Sequence, residues 1–213
     1  MTDSAPVERG KRERLVGSAR ELVHEQGVQR TTLAEVAERA DVPAGNVYYY
    51  FKTKDELVGA VVESYVQQAR DLLAGLERHR SPQTRLKGLV RSWEEIGGAV
   101  ARHGCPIGSL CAELGKRSNE LGGKAPQVFA MIVDWAEEQL GQLGRRDARD
   151  LAITLVAGIQ GAALLTNAFR DPQLMVRQSR QLERWIDTLA ALPELSVGVR
   201  VGALARTGSH RRS

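Results

Sequence analysis

Apolar positions recur at helical spacing almost from the start of the chain. Leu15, Ala19, Leu22 and Val23 fall on one side of a segment from Arg9 to Gln26, and Gly27 is placed to stop it. Thr32 and Glu35 then read as a capping box, the threonine hydroxyl accepting the Glu35 amide and the carboxylate reaching back to the Thr32 amide. A second helix therefore opens at Leu33, with Leu33, Val36, Ala37 and Ala40 as its buried stripe. Asp41, Val42 and Pro43 leave room only for a tight turn before a third helix from about Ala44 to Phe51. A second capping box, Thr53 to Glu56, opens a long fourth helix with Leu57, Val61, Tyr65, Leu72 and Leu76 along one side.

Further on, Ser81 and Pro82 supply a cap and a first-turn proline for a helix predicted to run to His103 and Gly104. Gly104 to Gly123 is glycine-rich and reads as a short helix between loops. Pro126 opens a helix to about Leu143, Asp147 caps one to Arg170, and Pro172 starts the last, which ends before Pro193. No run alternates with period two, so the chain is predicted to be all-α with about nine helices. The expected division is residues 8–66, containing a helix-turn-helix motif at about 31–52, and residues 67–196, a larger helical domain. Residues 1–7 and 197–213 are expected to be loose tails.

A chain of 213 residues is long enough for one or two units with a substantial core. The longest apolar stretch, Leu151 to Leu165, is interrupted by Thr154, Gly158, Gln160 and Gly161, and no apolar core precedes Leu15. A membrane span and a secretory signal are therefore not expected, and a cytoplasmic location is. A net charge of +4 permits a nucleic-acid partner without requiring one. Position says more: Arg9, Lys11, Arg12 and Arg14 precede the first helix, and Lys52 and Lys54 follow the third.

The third helix carries the functional reading. Turning Val47 and Phe51 inward, at about 100° per residue, turns Gly45, Asn46 and Tyr49 outward with Tyr48 and Tyr50 on the flanks. A short helix that exposes tyrosines and almost no charge suits a DNA groove. Gly45 lets the backbone approach, Asn46 can pair with an adenine edge, and tyrosine hydroxyls donate to phosphates. The competing reading makes Tyr48 to Phe51 a core aromatic cluster.

The stretch Arg12 to Tyr65 resembles the DNA-binding domain of the TetR family of transcriptional regulators. The residues that carry the likeness are Thr31-Thr32-Leu33-Ala34-Glu35-Val36-Ala37, Gly45-Asn46-Val47-Tyr48-Tyr49-Tyr50-Phe51 and Lys52-Thr53-Lys54-Asp55-Glu56-Leu57. The resemblance implies a homodimer that places two recognition helices on a palindromic operator and is released, as a repressor, by a small molecule. It places Ala44, Gly45 and Asn46 near bases and gives Thr31, Thr32, Tyr48, Tyr49, Tyr50 and Lys54 to phosphates; Lys52 joins the set as adjacent positive charge. Two positions depart from the family pattern, Pro43 for a serine and Ala44 for a lysine, which removes a side-chain cap and one phosphate contact.

In the C-terminal half, Gly104-Cys105-Pro106-Ile107-Gly108-Ser109-Leu110 and the helices from Asp147 to Leu192 resemble one TetR-type subgroup. Ala157, Gly158, Gly161, Ala162 and Ala163 form a patch of small residues that lets another helix approach closely. With the last two helices pairing across the dimer in TetR-like proteins, this patch is read as the dimer interface, against packing within one subunit. Candidate pocket residues, for a hydrophobic or electrophilic ligand, are Trp93, Cys105, Phe129, Ile132, Trp135, Ile159 and Asn167. Cys105, two residues after His103 at a helix start, is read either as a reactive thiol sensing electrophiles or as a buried inert one. A bridge to Cys111 is disfavoured by helical spacing. The isolated His24, His79 and His210 offer no metal cluster, no catalytic constellation or nucleotide loop appears, and no cofactor is expected. An enzyme or small-molecule carrier on a helical bundle is the alternative, but it has no use for an exposed tyrosine helix.

Overall fold

The computed structural model describes residues 5–116 and 120–191, the side chains of 5–9 and 120 excepted. Every element among them is helical, as the all-α pattern predicts. Counting the shortest segments, there are eleven: α1 (Ala5–Arg30), α2 (Leu33–Arg39), α3 (Ala44–Tyr50), α4 (Lys54–Leu76), α5 (Pro82–Glu95), α6 (Gly97–His103), α7 (Pro106–Leu114), α8 (Glu120–Lys124), α9 (Gln127–Gln142), α10 (Ala148–Phe169) and α11 (Pro172–Ala191). One continuous apolar core joins Leu15 in α1 to Leu189 in α11. The early helices gather on α1 and α4, and α10 lies between α9 on one side and α6 and α11 on the other.

Local chemistry sets most boundaries where the sequence puts them. Gly27 breaks α1 with φ of 84° and ψ of 164°, and a further turn follows to Arg30. The Thr32 and Glu35 box closes in both directions, Glu35 N–H to Thr32 Oγ1 at 3.2 Å and Thr32 N–H to Glu35 Oε2 at 2.8 Å. The second box closes in one direction only. Thr53 Oγ1 accepts the Glu56 amide at 3.1 Å, whereas the Glu56 carboxylate takes the Lys52 amide at 2.7 Å, one residue before the cap.

Three expectations are not met. Residues 5–8 are helical rather than loose. The helix opened by Ser81 and Pro82 does not run through to His103; it stops at Ile96, and α6 restarts at Gly97. Two successive glycines, Gly97 and Gly98, stand at the break, where helix propensity is lowest, and Gly97 lies in ordinary contact with Met175 of α11. Asp147 stands at the start of α10, but its carboxylate is held by Arg145 and caps nothing. Pro193 and the C-terminal tail lie outside the described residues, as do residues 1–4.

A polar knot fixes the far end of α4 against α5 and α9. Gln139, with no exposed surface, accepts Arg85 Nη1–H at 3.0 Å and donates to Glu77 Oε1 at 3.1 Å, and the Arg85 to Glu77 ion pair closes the ring at 3.0 Å. Trp135 joins it, its indole N–H donating to Glu77 Oε1 at 2.6 Å. A buried amide is tolerated here because both its oxygen and its nitrogen are satisfied.

Candidate nucleic-acid interface and effector cavity

The turn between α2 and α3 is made by Asp41 in the left-handed region, with φ of 50°, where aspartate is among the better tolerated residues. Asp41 N–H bonds to Glu38 O and Val42 N–H to Ala37 O, and the Val42 side chain is buried beneath them. This fixes the direction in which α3 leaves. Val47 and Phe51 enter the core, while Pro43, Ala44, Gly45, Asn46, Tyr48 and Tyr49 are exposed and Tyr50 is partly covered. Tyr48 is 57% and Tyr49 66% exposed, so the core-cluster reading fails for both. Tyr49 stands edge-on to Tyr50 with ring centroids 5.1 Å apart, which limits its rotation.

Pro43 begins α3 without a side-chain cap, as its identity requires, and its carbonyl instead accepts the Asn46 amide at 2.8 Å. Thr32 and Lys52 are exposed beside this face, and Lys52 Nζ donates to the Tyr48 carbonyl at 2.8 Å. Lys54 is half-buried and donates to the Gln29 carbonyl at 2.9 Å. Thr31 is a correction to the phosphate set. It is buried, and its hydroxyl donates to the Gly27 carbonyl at 2.8 Å, so it supports the turn from inside. Of the N-terminal cations, Arg12 lies over the Phe51 ring at 5.3 Å, which holds that arm beside α3.

Away from this face, a cavity of about 150 Å³ lies between the middle of α4 (Tyr65, Gln68, Ala69, Leu72), the end of α5 (Ser92, Trp93, Ile96), the start of α7 (Pro106, Ile107) and Ile132 of α9. Trp93 and Ile132 are thus brought together at one cavity, and none of the lining side chains is ionised at neutral pH. Burial pushes the Tyr65 phenol up to about 12. The α4 contribution was missed, although Tyr65, Ala69 and Leu72 at helical spacing place one small residue between two large ones.

Four other candidates lie elsewhere. Phe129 packs against the core outside the cavity lining, Ile159 is core, and Trp135 belongs to the Glu77 knot. Asn167 donates its amide to the Val100 and Ala101 carbonyls at 3.3 and 3.2 Å, closing the end of α6. Cys105 adjoins the cavity at the cap of α7 but is buried, and desolvation raises its thiol pKa despite the Gly108 amide that donates to Sγ at 3.2 Å. Cys111 is likewise unpaired, and burial pushes it up to about 11. Among the described residues no group of metal-ligating side chains is assembled.

His24 of α1 joins the two regions. Its Nε2 lies 2.8 Å from the Gly104 carbonyl, which can only accept, so Nε2 carries the proton. Burial is the main reason that its pKa falls below the ordinary 6.5; the Gly104 bond opposes this and His103, edge-on at 5.5 Å, adds to it. The folded state therefore takes up less proton than the unfolded chain. Stability from this site is complete above the unfolded value and is lost as pH falls below it. In urea titrations the midpoint is expected to drop from pH 7 to pH 5 more steeply for the natural protein than for His24→Gln; equal slopes would remove His24 from the account.

Comparison with known proteins agrees with this geometry. Residues 15–61 match the family model for bacterial regulatory proteins of the tetR family, and residues 82–181 match the C-terminal domain of LmrA/YxaF-like transcriptional regulators. The HTH-type transcriptional regulator TtgR of Pseudomonas putida is 40% identical over 202 residues, covering 89% of this chain and 94% of TtgR. An uncharacterized HTH-type regulator of Mycobacterium tuberculosis is 28% identical over 200 residues, covering 88% and 98%. In fold, the chain is similar to a TetR transcriptional regulator from Chloroflexus aurantiacus, with a TM-score of 0.75 at 20% identity over 84% of this chain and 96% of that one. It also resembles Escherichia coli NemR in its reduced form, with a TM-score of 0.69 at 18% identity over 82% and 96%.

The chain is a helix-turn-helix transcriptional regulator. It belongs to the TetR family.

Proposed function

We propose that this protein is a repressor that holds a palindromic operator as a homodimer and releases it when a small uncharged, apolar molecule enters the cavity between α4, α5, α7 and α9. One observation carries the reading. Among the described residues the exposed large apolar side chains fall into three groups: Tyr48 and Tyr49 on α3, Ile96 at the cavity, and Ile153, Leu164, Leu165 and Phe169 on α10. The first group suits DNA contact, the second effector entry and the third dimerisation. Residues 8–66 act as the DNA-binding domain and 67–196 as the effector and dimer domain.

On α10 the small residues divide between two faces. Gly158 turns inward, where a Cβ would lie 3.1 Å from Leu182 of α11, and Ala162 and Ala163 are buried. Ala157 and Gly161 are exposed along with Ile153, Leu164 and Phe169, a stripe with a shallow middle and large ends. This shape lets a symmetry-related helix cross closely, so we assign the dimer contact to α10 with α11 beside it. The helix is also, by length and composition alone, apolar enough to cross a membrane. Dimerisation explains the same apolarity.

The cavity defines the effector class. Its volume of about 150 Å³ suits one six-membered ring, and its uncharged lining offers no partner for an ion. The buried, raised thiol of Cys105 favours the apolar over the electrophilic alternative. DNA reading falls to Ala44, Gly45, Asn46, Tyr48, Tyr49 and Tyr50, with Thr32, Lys52 and Lys54 at phosphates.

The test is selection of duplexes from a random-sequence pool, followed by anisotropy titration of the selected duplex. A palindrome with half-sites about one helical turn apart is expected, bound less tightly as salt rises. Toluene should release it and benzoate should not. Failure to enrich any motif would overturn DNA reading, and release by both compounds equally would place the effector elsewhere.

A further inference from the structure

The break at Gly27 frees backbone amides that a continuous helix would have used. Two of them, on Val28 and Gln29, are not satisfied by neighbouring helices of the DNA-binding region. Both donate to the carboxylate of Glu113 in the last turn of α7, Val28 N–H to Oε2 and Gln29 N–H to Oε1, each at 2.8 Å. The fit is close enough that a Cβ on Gly27 would lie 3.1 Å from Oε2, in a backbone conformation that side chains already disfavour. At the other end of α7, the Gly104 carbonyl, two residues before Pro106, accepts the His24 Nε2–H at 2.8 Å. A helix of nine residues, roughly 13 Å long, is thus fastened to α1 at both ends.

Between those fastenings α7 does something else. Its first residues, Pro106 and Ile107, form one wall of the effector cavity. The turn that Glu113 grips is also the meeting point of the DNA-binding helices: Thr31 Oγ1 donates to the Gly27 carbonyl ahead of α2, and Lys54 Nζ to the Gln29 carbonyl at the start of α4. Two charge-assisted bonds made in parallel by one carboxylate tolerate little rotation. A displacement of α7 therefore carries the turn with it.

We infer that Glu113 is the positioning residue through which cavity occupancy reaches the recognition helix, by way of α7 and the Gly27–Thr31 turn rather than along α4 alone. The inference rests on the reading of the cavity as the effector site. It gives a carboxylate remote from both DNA and effector control over the coupling between them, which is a free energy separable from either binding step.

The test needs no identified effector. Ala69, buried on the α4 wall, is replaced by phenylalanine to fill the cavity from within, and affinity for the selected duplex is measured in Glu113, Glu113→Gln and Glu113→Ala backgrounds. With Glu113 present, Ala69→Phe is expected to weaken binding about tenfold; with Glu113→Ala the same change should cost less than about twofold. Glu113→Gln, which keeps one carbonyl acceptor and the same length, should fall between them, and it decides the matter if Glu113→Ala does not fold. A merely structural Glu113 would lower stability and affinity while leaving the tenfold ratio intact, and that result overturns the inference. If Ala69→Phe changes affinity in no background, the effector-site reading itself fails and the inference goes with it. Amide hydrogen exchange supplies an independent arm: Val28 and Gln29 should exchange faster in Glu113→Ala, and unchanged protection would show that the tether is not formed in solution.

Discussion

Replacing Leu164 and Phe169 together with aspartate is expected to convert the dimer to monomer and to abolish operator binding. Both side chains are more than two-thirds exposed on the isolated subunit, at 69% and 68%, so neither substitution disturbs the core of one chain. In a two-fold interface each residue counts twice. Four large side chains at roughly 1.5–3 kcal/mol apiece amount to about 6–12 kcal/mol of lost burial, before any cost of forcing four carboxylates together. That approaches the whole free energy of a micromolar to nanomolar association, about 8–12 kcal/mol. Operator affinity then collapses because each monomer can hold only one half-site. Sedimentation velocity and anisotropy together provide the check. A variant that remained dimeric would move the interface off α10, and a monomer that kept full affinity would remove the two-half-site reading.

The second large effect is expected at Tyr49. Changing it to alanine removes an exposed side chain from α3 and leaves Val47 and Phe51, which anchor that helix, untouched. Thermal stability should therefore move little. Operator affinity should fall about 100-fold, since a contact of ~1.5 kcal/mol is lost at each of two half-sites and ~1.4 kcal/mol corresponds to a factor of ten. Tyr49→Phe separates the parts of this effect. It keeps the edge-on contact with Tyr50 and loses only the hydroxyl, so most of the defect should persist if the hydroxyl meets a phosphate. Binding by Tyr49→Ala at the natural affinity would take Tyr49 out of the interface and leave Gly45 and Asn46 to carry the reading.

What was legible in the sequence was whatever short-range chemistry decides. The Thr32 to Glu35 box opens α2 at Leu33, Gly27 stops α1 and Ser81-Pro82 starts α5, because a cap, a left-handed glycine or a ring-locked φ acts within one turn of chain. The outward set of α3 follows in the same way, since once Val47 and Phe51 are buried the helical period dictates where Tyr49 points. A family likeness residing in these local signals was therefore recognisable from about a quarter of the chain.

The remainder was decided only when distant segments met. The contact of Gly97, at the restart of α6, with Met175 of α11 joins positions some eighty residues apart. Trp135 and Asn167, candidates for the pocket, lie outside the cavity lining and bond to Glu77 and to the end of α6, partners brought to them by packing that leaves no periodic trace. Thr31 looked like a phosphate ligand and turned inward to Gly27. The bond from Glu113 to Val28 and Gln29 joins residues more than eighty positions apart, and nothing local to either end announces it. Helical pattern and capping are properties of neighbours along the chain, and sequence determines them. Cavities, clamps and the surfaces left uncovered depend on which helices touch, and only the tertiary fold decides that.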